Sequence, residues 1–301
     1  MQDAISHADM EDIVTTTPYP FDSGCRKTIT KMLRHQAIQQ AIVTMRQRFY
    51  EPLTLREIAD SAQLSQFHFN RIFRSMTGVP PSVYLAAVRI EQAKRLLLTS
   101  NSSVTDVCFD VGYTSLGTFT TRFTQFVGLP PTRLRQFAHD STMNLSLQDI
   151  YDSLIHAQIH PQPEFQCDSH EASIQGTIKV LVPFKGIIFI GLFENPVPQG
   201  KPIGCTLLTS SGRFCLKVPD GQYYLFATAL QMSETLFSTL VEGTHLRASL
   251  GARPLTLSHS SPQKIVHLTL QQDHWIDPPI LIALPWLLNA YISTYLANTR
   301  R

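Results

Sequence analysis

The chain has 301 residues, a length that suits two domains or one large domain with a tail, and its 43% hydrophobic content is ample for two packed cores. A net charge of +2 is too small to point to nucleic acid by itself, and five scattered cysteines (Cys25, Cys108, Cys167, Cys205, Cys215) argue against a disulfide framework and for a reducing compartment. The acidic opening has no apolar stretch of signal-peptide length, and residues 280–292, broken by Pro285, fall short of the ~20 apolar residues a membrane helix needs. The expectation is a soluble, cytoplasmic protein with no membrane partner.

Charge is unevenly distributed. Residues 1–30 carry 2 Lys and Arg against 5 Asp and Glu, residues 31–140 carry 13 against 7, and residues 141–301 carry 10 against 11. The excess of positive charge therefore sits in one block, as a phosphate-binding module requires.

Residues 1–27 mix acids, threonines and prolines without periodicity and read as a flexible tail. From 28 to about 51, Ile38, Ala41, Ile42, Met45 and Phe49 recur at helical steps, giving one helix with a buried stripe. Thr54 stands three before Glu57 and Ser103 three before Asp106, the spacing of a capping box. Ser65, Ser82 and Ser115 precede three further apolar-periodic runs and are candidate N-caps. Gly78 before Pro80-Pro81 and Gly128 before Pro130-Pro131 read as helix stops. Residues 28–140 are thus expected to be all-α, in short units.

One of those units occurs twice. At an offset of 49, Leu55 falls on Val104, Ile58 on Val107, Ala59 on Cys108, Ala62 on Val111 and Leu64 on Tyr113. After the inserted Thr114 the offset is 50, and Ser65, Phe69, Phe73, Gly78 and Pro80-Pro81 fall on Ser115, Phe119, Phe123, Gly128 and Pro130-Pro131. A short helix, a tight turn and a longer helix form a helix-turn-helix, with a small residue at Ala59 or Cys108 allowing close approach. The second helix of each unit would present its first two turns to a major groove. In the first unit those positions hold Gln66, Phe67, Asn70, Arg71 and Arg74. Arg grips guanine, Asn or Gln grips adenine, and an aromatic ring packs on a thymine methyl. The stripe Phe69, Phe73, Phe119 and Phe123 lies opposite and is read as core. Arg89 is read as a brace for the connecting helix, and His68 as either a phosphate contact or a solvated side chain.

Residues 53–135 resemble the DNA-binding domain of the AraC/XylS family of bacterial regulators. The motifs that carry this are L-T-L-R-E-I-A, S-Q-F-H-F-N-R-I-F-R-S-M-T-G, Y-L-x-x-x-R-I-E-x-A-K-R-L-L and D-V-G-Y-T-S-L-G-T-F-T-T-R-F. The resemblance implies two helix-turn-helix units joined by a rigid helix and reading successive major grooves of double-stranded DNA. It maps base contacts onto Phe67, Asn70, Arg71 and Arg74 in the first unit and onto Leu116, Gly117, Thr118 and Thr121 in the second. The second set departs from the usual polar pattern, so the first unit is expected to supply most of the direct readout.

Residues 141–172 read as a helix (146–159) followed by a polar linker. His156, His160, Cys167 and His170 lie there, but their spacing matches no metal motif, and a solvated linker is the reading; no metal or cofactor is expected. From 173 to 301 β-branched and aromatic residues alternate between turn signals, giving a mainly β, sandwich-like domain. Strands are expected at 177–182, 187–193, 213–217, 223–229 and 265–270. The runs G-T-I-K-V, I-I-F-I-G-L-F, G-K-P-I and S-G-R-F-C-L-K-V-P-D-G-Q-Y-Y-L-F-A resemble a transthyretin-like or carboxypeptidase-regulatory-like module, with Phe214, Tyr224 and Phe226 expected in one core. I-G-L-F-E-N-P resembles an effector-binding domain of the GyrI type, but the strand spacing fits the sandwich better. Tyr223, Trp275 and Trp286 are read as core, and no ligand-binding residue is named. In family terms such a domain senses a small-molecule effector or makes a homodimer, and RNA polymerase is a further partner if the protein activates.

Two rival functions stand beside a transcription regulator. Repair methyltransferases that share this reading head need a nucleophilic Cys followed by His, and no cysteine here is followed by His. Nor is there a Walker A loop, a nucleophile elbow or H-E-x-x-H, so the chain is not expected to be an enzyme. An architectural DNA binder would not need Asn and Arg aimed at base edges.

Overall fold

Spacing in the sequence sets where the helices start and stop. The computed structural model describes residues 14–15, 25–139, 147–156, 172–232, 246–250, 253–260, 263–284 and 286–288. Its helical part consists of α1 (Cys25–Gln47), α2 (Leu55–Ser61), α3 (Gln66–Thr77), α4 (Pro81–Thr99), α5 (Val104–Asp110), α6 (Leu116–Val127) and α7 (Pro131–His139). Both capping boxes form. The Thr54 hydroxyl accepts from the Glu57 N–H at 3.2 Å while the Glu57 carboxylate accepts from the Thr54 N–H at 2.8 Å; Ser103 and Asp106 repeat the exchange at 3.1 Å in each direction. These bonds hold both carboxyls below their usual range. Gly78 and Gly128 end α3 and α6 with φ of 80° and 87°, a left-handed cap that favours glycine.

Ser82 is not a cap. Helix α4 begins at Pro81 with Pro80 as the cap residue, since proline suits the first helical turn, where its missing N–H has no partner to lose. Phe69, Phe73, Phe119 and Phe123 are all fully buried, with Tyr84 meeting Phe73 edge-on at 5.4 Å, so the aromatic stripe is core.

The β part opens with β1 (Val14–Thr15), which pairs in parallel with Val266 and His267, so the N-terminal 27 residues contain a sheet element as well as the first turn of α1. After α8 (Leu147–His156) come β2 (Ala172–Val180), β3 (Gly186–Phe193), β4 (Gly204–Leu208), β5 (Gly212–Val218), β6 (Gly221–Gln231), β7 (Leu246–Ser249), β8 (Leu255–Leu257) and β9 (Lys264–Gln272). The strand order is β4-β3-β6-β7-β9-β2-β5, with β8 on β6. Among the described residues two residue pairs link β7 to β9, and the sheet folds there into two facing leaves. Between them Ile174, Ile178, Phe214, Leu216 and Leu268 meet Ile188, Ile190, Leu192 and Leu225.

Strand β3 is buried at every position because its outer face is covered too, by Ile150 and Leu154 of α8 and by Ile282, Leu284 and Leu288. That second layer corrects the expected aromatic core. Tyr223 shares the inter-leaf core with Phe214, whereas Phe226 points to the opposite face and meets Phe193 at 6.5 Å; Tyr224 is half-buried. With both faces of β6 apolar, alternation alone does not say which aromatics share a side.

The apolar run after β9 joins the two parts. Leu281 and Ala283 pack into the helical core, and Ile282 and Leu284 into the β core. A segment buried on both sides by alternate residues reads in sequence as one unbroken apolar stretch. Among the described residues no helix is long and apolar enough to cross a membrane.

Lys94 lies in this junction, 5% exposed, its ammonium donating to the Ile280 carbonyl at 3.3 Å. Burial pulls its pKa from 10.5 down to about 8, against the pull of Glu91. The unfolded chain therefore holds this proton up to about pH 10.5 while the folded chain releases it near 8. Between those values the unfolded state binds more protons, and stability rises with pH. Lys94→Met is expected to remove one proton's share of that rise, measured as unfolding free energy against pH. An identical rise in the variant would assign it to another group.

Candidate nucleic-acid interface

Each unit packs its two helices through a residue too small to hold them apart. Ala59 and Cys108 are fully buried at equivalent positions, and burial pushes the Cys108 thiol up, away from thiolate chemistry. The turns also correspond. Gln63 and Gly112 occupy the left-handed region at φ 55° and 83°, and the next N–H in each case reaches back, Leu64 to the Ala59 carbonyl and Tyr113 to the Cys108 carbonyl, both at 3.1 Å.

With Phe69, Ile72 and Phe73 buried, α3 turns the other side of its cylinder outward. Gln66, Phe67, Asn70, Arg71 and Arg74 are all exposed and together line a concavity of about 570 Å³. Leu55, Ser75 and Pro80 complete it, and among the described residues no acidic side chain lines it. Phe67 is 91% exposed, an apolar ring held in water. His68 is half-buried, its Nδ1 lying 3.4 Å from the Arg71 guanidinium.

Sequence reasoning missed Leu55. The repeat puts it among the buried positions, yet it is 39% exposed at the start of α2, where the helix has no preceding turn to cover it. Its place directly after a cap was the available signal.

Helix α6 has the same orientation within its own unit, with Phe119, Phe123, Phe126 and Val127 buried and Leu116, Gly117, Thr118 and Thr121 exposed. Its chemistry differs. Where α3 carries Arg71 and Arg74, α6 carries Thr121 and Thr124, and the Thr124 hydroxyl is already committed to the Thr120 carbonyl at 2.8 Å. The exposed Arg122 sits one residue past Thr121, which rotates it about 100° around the helix.

The relative position of the units is fixed at the turn following α1. Arg89 of α4 donates to the carbonyls of Phe49 and Glu51, both at 2.7 Å, and its guanidinium carbon lies 5.8 Å from the Tyr113 ring centroid. Arg89 is therefore a brace, holding the first unit, the connecting helix and the second unit at one point. Arg135 of α7 similarly donates to the carbonyls of Leu97 and Ser102, at 3.3 and 2.6 Å, closing the far end of α4.

Cys205 is pushed up to about 11 by burial, the wrong direction for a nucleophile. Asp220 accepts from the Ser258 hydroxyl at 2.9 Å and lies 2.7 Å from His259 Nδ1, tying β8 to the turn before β6; here the serine faces the carboxylate and not the imidazole. Among the described residues no group of three or more His, Cys, Asp or Glu could hold a metal ion. His160, Cys167 and His170 lie outside the described residues.

Two helix-turn-helix units on one bracing helix define a class, and residues 58–136 match the family model described as a helix-turn-helix domain. The chain is 32% identical over 95 residues to the HTH-type transcriptional regulator YobQ of Bacillus subtilis (strain 168), covering 32% of this chain and 39% of that protein. It is 30% identical over 114 residues to the bifunctional transcriptional activator/DNA repair enzyme AdaA of the same organism, covering 38% and 54%. Among solved structures, the DNA-binding domain of AdpA in complex with a target DNA is 30% identical, with a TM-score of 0.33, covering 33% of this chain and 90% of that one. Residues 58–136 are thus an AraC-type helix-turn-helix domain. The chain spans about two-fifths of YobQ and about half of AdaA.

Proposed function

We propose that this protein is a sequence-specific, cytoplasmic transcription regulator that binds double-stranded DNA through successive major grooves. The first unit supplies most of the direct readout through Gln66, Phe67, Asn70, Arg71 and Arg74. The second docks mainly on backbone through Leu116, Gly117, Thr118 and Thr121. One observation carries this: α3 presents an exposed aromatic, an amide pair and two guanidiniums on one acid-free concave face, while the equivalent face of α6 carries no cation at the two matching positions. The β domain serves regulation, by binding a small-molecule effector or a second copy of the chain, and RNA polymerase is the partner if the protein activates. The chain is not an enzyme. The absence of a Cys-His pair and the raised thiols of Cys108 and Cys205 support that against a repair methyltransferase.

The test is selection of bound sites from random duplexes. One strongly conserved block, with a weaker one about one helical turn (~10 bp) away, is the expected outcome. Recovery of sequences with no shared block would replace this reading with an architectural role.

A further inference from the structure

Helix α6 does not end in solvent. The last carbonyls of a helix have no partner within it, and here the β domain supplies two. The Gly200 N–H, in the loop between β3 and β4, donates to the Phe126 carbonyl at 3.2 Å, and the Ala283 N–H donates to the Val127 carbonyl at 3.1 Å. Gly128, which caps the helix, lies so close to that loop that an added Cβ would stand 3.3 Å from the Gly200 Cα. Val197 of the same loop is fully buried within the helical core.

The segment carrying Ala283 also binds the connecting helix. The Tyr84 hydroxyl donates to the Asp277 carbonyl at 3.1 Å, and Lys94 donates to that of Ile280. Its other end is tied to the sheet by Arg247 of β7, which bonds Asp273 at 2.5 Å and the Pro278 carbonyl at 2.7 Å. Among the described residues, α3 makes no hydrogen bond to the β domain. The hydrogen bonds from the β domain therefore fall on α4 and α6, while Trp275 stands 6.2 Å from the His35 ring of α1.

We infer that the β domain is a positioning element for the second reading helix: the β3–β4 loop and the segment 276–284 set the angle at which α6 meets DNA. This rests on the reading above that α6 lies in a groove. Val197, Gly200 and Ala283 are positioning residues that act through the carboxyl end of α6. A change in the β domain would reach DNA at one groove only, leaving α3 to keep its site.

The test uses the full chain on the duplex that the wild type selects, read by hydroxyl-radical protection and by the dependence of affinity on salt. Val197→Asp puts a charge into the docking site, and Val197→Ile keeps it apolar. The wild type and Val197→Ile are expected to protect two stretches one helical turn apart. Val197→Asp, with α-helical circular dichroism retained, is expected to protect only the stretch holding the conserved block. Its salt slope should fall by about 1 to 2, the loss of one or two phosphate contacts. Should Val197→Asp fail to fold, Ala283→Pro removes the N–H given to Val127 and leaves the first unit untouched, with the same expected loss. Loss of both stretches together, or retention of both in a folded variant, would overturn the inference. A wild type that protects no defined site would instead sink the DNA-reading proposal on which it stands.

Discussion

Gly112→Ala is expected to destabilise folding by about 3 kcal/mol, combining backbone strain with a steric clash. The residue sits at φ +83°, where any Cβ is strained, and the added carbon would stand 2.7 Å from the Tyr50 carbonyl oxygen and 2.9 Å from that of Phe49. Neither oxygen belongs to a flexible side chain. The Phe49 carbonyl is also pinned by Arg89, so relief would have to move the joint between the two units. Gln63 provides the control, because it occupies the matching turn position at φ 55° with its side chain exposed. Gln63→Gly should change stability by less than ~1 kcal/mol, as relieved strain is offset by unfolded-state entropy. Urea unfolding of the two variants measures both. Equal, small changes would show that the joint is soft and that the close contact at Gly112 does not constrain it.

Arg71→Ala is expected to weaken binding to the selected duplex by about 1 to 3 kcal/mol, roughly fivefold to 150-fold, and to relax preference at one base position. The guanidinium is exposed within the first two turns of α3, and among the described residues its side-chain hydrogen-bond partner is His68 at 3.4 Å. Little in the free protein holds it back from DNA, so the loss measures the DNA contact itself. Thr121→Ala, at the matching place on α6, removes one hydroxyl and should cost less than Arg71→Ala. Titration of each variant against the selected site and single-base variants of it separates the two. If Thr121→Ala proves the more damaging, the division of labour between the units is wrong.

The helical half was legible because its signals are local. Capping boxes, glycine stops and the doubled phenylalanine stripe each span a few residues, and their repetition at offsets of 49 and 50 named the unit before any contact was known. The long-range joint was legible only in part. Arg89 could be read as a brace, but not that it would reach the Phe49 and Glu51 carbonyls some 40 positions back. In the β half, five strands showed through their alternation, while β4, β7 and β8 are short and carry little of it. The first half of β2 was hidden by Ser173, Gln175 and Gly176, which lack the branched or aromatic side chains that mark a strand. Residues 280–284 were the hardest to read. Their alternation is real, but both faces are apolar because each meets a different core. The exposed face of α3 was visible as a set of residue types, whereas the shared concavity with Leu55 and Pro80 needed the turn that brings α2 and the α3–α4 corner beside it.

The central claim is that this chain reads base sequence, and affinity for the selected duplex and a scrambled one, followed across salt concentration, tests it most directly. The account predicts that the selected duplex is bound about 1000-fold or more tightly at physiological salt, with both affinities falling as salt rises. Equal affinities with the same steep salt slope would contradict it, because phosphate contacts alone would then account for all of the binding.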